Sequence, residues 1–311
     1  MAIDSETARL FIACTKAGIP LGKLLMLGRQ NYLLRPSETR ALFSEYGLSP
    51  NARLLEPTNG SNPPFAEPFF ESLGASSCDS VDVAAYEGAT ILHDFNEPIS
   101  AQYYEKFDVV FDGGTLEHVF HFPTAILNAM QVLKQGGWYV GFTPGNNWFG
   151  HGFYQFSPEL FYRALSPQNG FSSCAVFLIP EALGLPWYLV KDPAQLRNRT
   201  NLINAVRTPL LVLAKKSGLT PPKLRLQQSD YQAFWDKNAP VLNTGKVRED
   251  GGLVRSLKEK LYETMPGFTR RLATLEARPW TGEYSVKKSG VFQPLNKAEL
   301  PSLIAKLSQT K

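Results

Sequence analysis

The sequence predicts an α/β protein: a doubly wound, mostly parallel seven-stranded sheet with a C-terminal extension of helices and loops. Three observations carry this. Short apolar runs alternate with stretches of helical length between residues 6 and 216, the pattern of a parallel sheet wound by crossover helices. The run FDVVFD at 107–112 is apolar almost throughout, as a strand covered on both faces reads. Glycine or aspartate closes the runs at Gly28, Asp82, Asp94 and Asp112.

Taken in order, residues 6–17 predict a first helix, and 24–27 a strand that turns at Gly28. RPSETRALFSEYG predicts a helix entered at Pro36, capped by Ser37 and ended by Gly47. Residues 53–55 predict a short extra strand, EPTNGSNPP a loop, and 65–73 another helix. Two short strands follow at 78–83 and 90–93, then the strand 107–112 and the turn Gly113-Gly114. A helix is expected from Thr115 through TAILNAMQVLK, stopped by Gly136-Gly137. WYVGFT is the fifth strand, Ser157 caps a helix over PELFYRALS, SSCAVFLI is the sixth strand and TPLLVLAKK the seventh. Pro221-Pro222 mark a boundary, so the expected organisation is a sheet domain over 1–216, with an insertion around 31–76, and an extension over 217–311.

Composition narrows the function. Three well-separated cysteines (Cys14, Cys78, Cys174) argue against a disulfide framework and a four-cysteine zinc site. The first residues lack the basic-then-apolar pattern of a secretory signal, and the most apolar stretch, 171–190, is interrupted by Pro180, Glu181 and Pro186. A cytoplasmic protein without a membrane span is expected. Residues 1–215 carry a net charge of −4 and 216–311 a net of +8, but the basic residues are mixed with acids, as on a solvated surface.

Ligands of open α/β sheets bind outside the carboxyl ends of the strands, where the strand order reverses. An acidic residue ending the second strand, Asp82, is placed to accept from a ribose diol, and carboxylates near the third, at Asp94, from an adenine amino group. All four histidines (His93, His118, His121, His151) lie between 93 and 151. His118 and His121 form an HxxH pair near Glu117 and Asp112, but without the HExxH pattern no metal centre is expected. As imidazoles titrate near neutrality, His151, and beside it His118, are candidate general bases. The loop PGNNWFGHGFYQF offers Trp148, Phe149, Phe153, Tyr154 and Phe156 as a platform, with Asn146, Asn147 and Gln155 to bond hydroxyls.

The stretch FDVVFDGGTLEHVFHFPTAILNAMQVLKQGGWYVGFTPG resembles the second half of a class I S-adenosylmethionine-dependent methyltransferase, a Rossmann-like fold. The resemblance covers residues 23–216 and implies that TPLLVLAKK is an antiparallel seventh strand. It implies S-adenosylmethionine as cofactor, with Asp82 at the ribose, Asp94 and Phe95 at the adenine, and Gly28, Asp112 and Gly113 on the methionine side. Where further glycine is usual after the first strand, this chain has LGRQ, and 54 positions separate Gly28 from Asp82. Two readings follow. Arg29 pairs with the cofactor carboxylate and the chain methylates a small molecule, a sugar or saccharide hydroxyl; or the chain is a non-catalytic binding or scaffold protein of the same fold. A nucleic-acid methyltransferase is disfavoured, because DGGT stands where base-methylating enzymes carry a proline-aromatic motif. Oligomeric state is not legible.

Overall fold

The computed structural model describes residues 2–56, 63–182, 185–197, 199–221, 223–236, 265 and 290–309. Its strands are β1 (Ala2–Ile3), β2 (Gly22–Leu27), β3 (Asn31–Tyr32), β4 (Ala75–Asp82), β5 (Ile91–Leu92), β6 (Phe107–Asp112), β7 (Leu133–Asn146), β8 (Phe171–Leu178), β9 (Trp187–Val190), β10 (Thr208–Lys216) and β11 (Phe292–Leu295). Its α-helices are α1 (Ser5–Lys16), α2 (Pro36–Glu45), α3 (Glu67–Ser72), α4 (Phe122–Val132), α5 (Pro158–Ala164), α6 (Pro193–Leu196), α7 (Ser229–Trp235) and α8 (Leu300–Ser308).

The main sheet has the order β11-β9-β8-β10-β7-β6-β2-β4-β5. Strands β5, β4, β2, β6 and β7 pair in parallel, and β10 runs antiparallel between β7 and β8, as expected of the seventh strand. The sheet has nine strands rather than seven: β9 and β11 extend the β8 edge in antiparallel pairs. Both are four-residue strands separated by about a hundred positions along the chain, so no local pattern announces their pairing. β1 and β3 form a separate two-stranded parallel pair within the amino-terminal region.

Chain progression runs from β2 outward through β4 to β5, then returns to the other side of β2 at β6. The order therefore reverses between β2 and β6, whose ends stand opposite each other in the register Leu27↔Asp112. In a doubly wound sheet this is where ligands bind.

Each sheet face is buried. In β2, Leu24 and Met26 enter one apolar cluster with Phe11, Phe43, Phe69, Phe70 and Phe111, while Leu25 and Leu27 enter the other with Val110, Ile126, Met130 and Phe161. This two-sided burial explains why FDVVFD shows no alternation. The described carboxyl-terminal segment belongs to the same body, with Leu300 and Ile304 of α8 in the first cluster and Phe292 of β11 in the second. Glu6 of α1 accepts from Trp187 Nε1 at 2.6 Å and from Lys297 Nζ at 2.7 Å, tying the first helix to the sheet edge.

Two expected elements differ. Residues 53–55 lie in a 3-10 turn, Ala52–Leu55, initiated by Asn51 Oδ1 accepting from Arg53 N at 3.0 Å, and not in a strand. The helix expected from Thr115 is divided into a 3-10 turn, Leu116–His118, and α4, which begins only at Phe122. Pro123 sets that start, since proline suits a first helical turn but not a helix interior. Nor do Gly136 and Gly137 stop α4, because Leu133 is already extended and opens β7. Lys216 Nζ, wholly buried, instead satisfies the carbonyls of Met130 (3.0 Å) and Leu133 (2.6 Å).

Candidate functional site

The reversal point is built from the β2 turn and the β6 turn. Gly28 sits at φ +67°, where glycine is favoured, and its N–H donates to Val81 O at 2.8 Å. Two residues on, Gln30 is wholly buried and its amide fills the ground between the strand ends. Gln30 Nε2 donates to Leu27 O (2.9 Å) and Gly28 O (3.1 Å), while Oε1 lies against Gly113. A Cβ at Gly113 would stand 2.4 Å from that oxygen, so any larger residue there would displace the Gln30 amide. Gln30 Oε1 itself is buried without a hydrogen-bond partner among the described residues, an uncommon and costly condition for an amide oxygen.

Arg29 points away from this point. Its guanidinium stacks 3.7 Å from the centroid of Phe65, pairs with Glu67 Oε1 at 2.7 Å and donates to Glu87 O at 2.7 Å. It thus straps the insertion to the loop after β4.

Asp82 ends β4 half-buried, with Oδ1 accepting from Ala84 N at 3.0 Å, and Asp82 O accepts from His93 N across β5 at 2.9 Å. Asp94 is exposed and accepts from Asn96 N and Nδ2 at 2.9 and 2.8 Å, bonds that hold its carboxyl below the usual range. Phe95 is buried in the second core cluster. Asp112 is fully buried, with Oδ1 accepting from Thr115 N (2.8 Å) and Leu116 N (3.3 Å), and Oδ2 from the Tyr139 hydroxyl (3.2 Å). Burial pushes its pKa upward against those bonds. These bonds make Asp112 the organiser of the β6 turn. Thr115 Oγ1 closes the turn by donating back to Leu27 O.

Beside this turn, the structure brings His118 and His151 together. Their rings lie 4.9 Å apart, edge to face, although 33 positions separate them in the chain. Under them is Glu117, a carboxylate only 1% exposed. Its side-chain partners among the described residues are Thr143 Oγ1 at 3.5 Å and His151 Nε2 at 3.6 Å. Burial, and then the neighbouring Asp112, push the Glu117 pKa upward. Partial burial, and then His151, push that of His118 downward. His121 stands apart from this group and caps α4 through its backbone, its N–H donating to Asn96 Oδ1 at 2.9 Å.

The 147–155 loop is tethered to the same residue. Phe153 N and Tyr154 N donate to Glu117 O at 2.8 and 3.3 Å, and Gly152 at φ +71° passes so close that a Cβ would meet that oxygen at 2.8 Å. The loop presents aromatic surface: Phe149 and Phe153 are 94% and 66% exposed, with Phe120 packed edge-on at 5.7 Å from Phe153. Phe156 is instead core. The amides expected to face an acceptor hold the loop instead. Asn146 Nδ2 donates to Asn204 Oδ1, Asn147 Nδ2 to Asn204 and to Val206 O, and Gln155 Oε1 accepts from Trp148 N.

Sequence reasoning missed Gln30 and gave Glu117 no role of its own. The signal for the second was present, as an acidic residue directly preceding a histidine just past a strand end. For Gln30 the local sequence gave no signal, because a buried glutamine folding back on its own turn, with Oε1 against Gly113 of the next strand's turn, has no distinctive pattern.

No family model matches the chain, and no curated protein matches it. Solved structures similar to it include the 1,6-didemethyltoxoflavin-N1-methyltransferase of Burkholderia thailandensis with bound S-adenosylhomocysteine (14% identity, TM-score 0.34, 68% of this chain and 80% of that one). A SAM-dependent methyltransferase of Thermotoga maritima is 16% identical at a TM-score of 0.33, covering 68% of this chain and 91% of that one. The YcgJ protein of Bacillus subtilis is 11% identical at 0.34, covering 69% and 100%.

Proposed function

We propose that this chain is an S-adenosylmethionine-dependent methyltransferase acting on a hydroxyl of a small molecule, a sugar or saccharide. The observation that carries the reading is the pairing of two half-sites across the reversal point. One is a cradle of Gly28, Gln30 and Gly113, flanked by Asp82 at the end of β4. The other is the Glu117–His118–His151 group beneath an exposed aromatic loop.

The cradle fits the cofactor in its chemistry. Asp82 offers a half-buried carboxylate to a ribose diol, and Gln30 Oε1 is an orphaned acceptor suited to an ammonium donor. S-adenosylmethionine supplies a methyl group on a sulfonium and leaves as S-adenosylhomocysteine. The chain's own task is to align an acceptor hydroxyl and take its proton. The acceptor hydroxyl's proton would pass to the His151 imidazole, and Glu117, whose Oε1 lies 3.6 Å from Nε2, would orient the ring and stabilise the imidazolium. Phe149, Phe153 and Phe120 supply a surface on which a sugar ring packs.

Asp82→Ala tests the cofactor side. The side chain is half exposed, so the fold should survive, while affinity for S-adenosylhomocysteine should fall about 10–100-fold with the loss of charge-assisted hydrogen bonds. Unchanged affinity in calorimetry would reject the pocket.

A second reading, a non-catalytic binding protein, is favoured by the same Gln30 amide, which occupies the cradle, and by the engagement of Arg29 with Glu67. Gln30→Ala separates the two. If Oε1 receives a cofactor donor, affinity drops about tenfold. If the amide fills a disused cradle, the variant binds as well as the parent or better.

A further inference from the structure

We propose that Glu117, His118 and His151 form a binding site for one divalent transition-metal cation of the zinc, cobalt or manganese class. The site uses the side chains given above to proton removal. It is independent of the S-adenosylmethionine reading, since cation binding can be measured in the absence of cofactor.

The geometry points to a cation in three ways. One ligand atom from each of the three residues lies within 4.8 Å of the others, and Glu117 Oε1 is 3.6 Å from His151 Nε2. Ligands about 2.0–2.2 Å from a tetrahedral centre are separated by about 3.3–3.6 Å, so closure requires shifts of about 1 Å. Both imidazoles are exposed, so their rings can adjust by that amount without disturbing the core, whereas Glu117 lies in the interior. The donor set is two imidazoles and one carboxylate, which suits borderline divalent ions, and three protein ligands leave open positions for water or an acceptor oxygen.

Glu117 supplies the second argument. The Glu117 carboxyl is 1% exposed and its side-chain partners stand only at 3.5 and 3.6 Å, and buried carboxylates are normally paired or coordinate metals. No Lys or Arg ion pair to it is formed among the described residues. The third argument is construction: the hydrogen bonds of Phe153 and Tyr154 to Glu117 O, with glycine required at 152, hold the His151 loop onto the residue that would share the cation. The cation site is therefore not the HxxH pair of the sequence, because His118 joins His151 and not His121.

A bound cation would alter how the acceptor loses its proton. A coordinated oxygen is acidified by the cation, and His151 then acts as a ligand instead of a base.

The test uses the full chain stripped with EDTA and dialysed, titrated calorimetrically with Zn²⁺ and, in parallel, with Co²⁺ followed by visible absorption. One equivalent per chain is expected, with d–d bands of a low-coordinate Co²⁺ site and a raised Tm on binding. His151→Ala and His118→Ala, whose exposed rings can be removed without opening the core, should each weaken binding by more than about tenfold, while His121→Ala binds as the parent does. Absence of binding to the folded parent overturns the proposal. So does binding that persists in His151→Ala or is lost in His121→Ala. Loss of S-adenosylhomocysteine binding with cation binding intact would reject the cofactor reading alone.

Discussion

Phe111→Ala is expected to cost about 3–5 kcal/mol of folding free energy, the range for deleting a large aromatic side chain from a packed core. Phe111 is wholly buried on β6 one residue before Asp112. Its ring meets Phe11 edge-on at 5.0 Å and Phe70 at 6.0 Å, in a cluster that joins α1, α3 and the sheet. Truncation leaves a cavity that rigid β6 cannot close, and it removes edge-to-face pairs worth about 0.5–1.5 kcal/mol each beyond area. Phe111→Leu should lose less, under about 2 kcal/mol, because volume is largely kept. Urea unfolding reads this directly: the midpoint should fall with an unchanged slope. A loss below about 1 kcal/mol for alanine would mean that the cluster joining α1, α3 and this face of the sheet is not packed as described. The ring also abuts the Gly113 backbone against which Gln30 packs, so the alanine variant should weaken cofactor affinity as well as stability.

His151→Ala is expected to lower turnover about 10²–10⁴-fold, the usual contribution of a positioned acid or base, while changing S-adenosylhomocysteine affinity by less than about threefold. The separation follows from the architecture. His151 stands in the β7–α5 loop against Trp148 and His118, with ring centroids 5.1 and 4.9 Å away, and shares no hydrogen bond, ion pair or ring contact with Gly28, Gln30 or Asp82. Release of S-adenosylhomocysteine in the presence of mono- and disaccharide acceptors reads turnover, and calorimetry reads affinity. Equal loss of both would show that the loop is part of the cofactor pocket. Full retention of turnover would remove His151 from the chemistry.

Much of the fold was legible because it is written in local patterns. The near-continuous apolar run at 107–112 marked a doubly covered strand, and the glycine after Leu27 marked the turn at the reversal point. The antiparallel seventh strand followed from the resemblance and not from its own composition. What was not legible depends on distant residues. Nothing near 187–190 or 292–295 tells that these segments pair with each other at the sheet edge. The division of the α4 region lies in Pro123, a signal masked by the continuous apolar spacing of 115–134.

The site divides in the same way. Convergence of His118 and His151 on one rim followed from their places after adjacent strands. The fate of Arg29 did not, because its partners Phe65 and Glu67 lie in the insertion, more than thirty residues on. Asp112 sits at the strand end expected of a ligand-binding carboxylate, yet both its oxygens are spent on the turn and on Tyr139. Strand-end position alone does not distinguish a carboxylate that binds a ligand from one that builds the turn.

The central claim is that the LGRQ turn forms a working cofactor cradle. Calorimetric titration of the intact chain with S-adenosylmethionine and S-adenosylhomocysteine tests it most directly. The account predicts saturable one-to-one binding of both, tighter than about 100 μM, or about −5.5 kcal/mol. Absence of binding of either ligand at about 1 mM, to protein shown to be folded, would contradict it and leave the filled cradle of the non-catalytic reading.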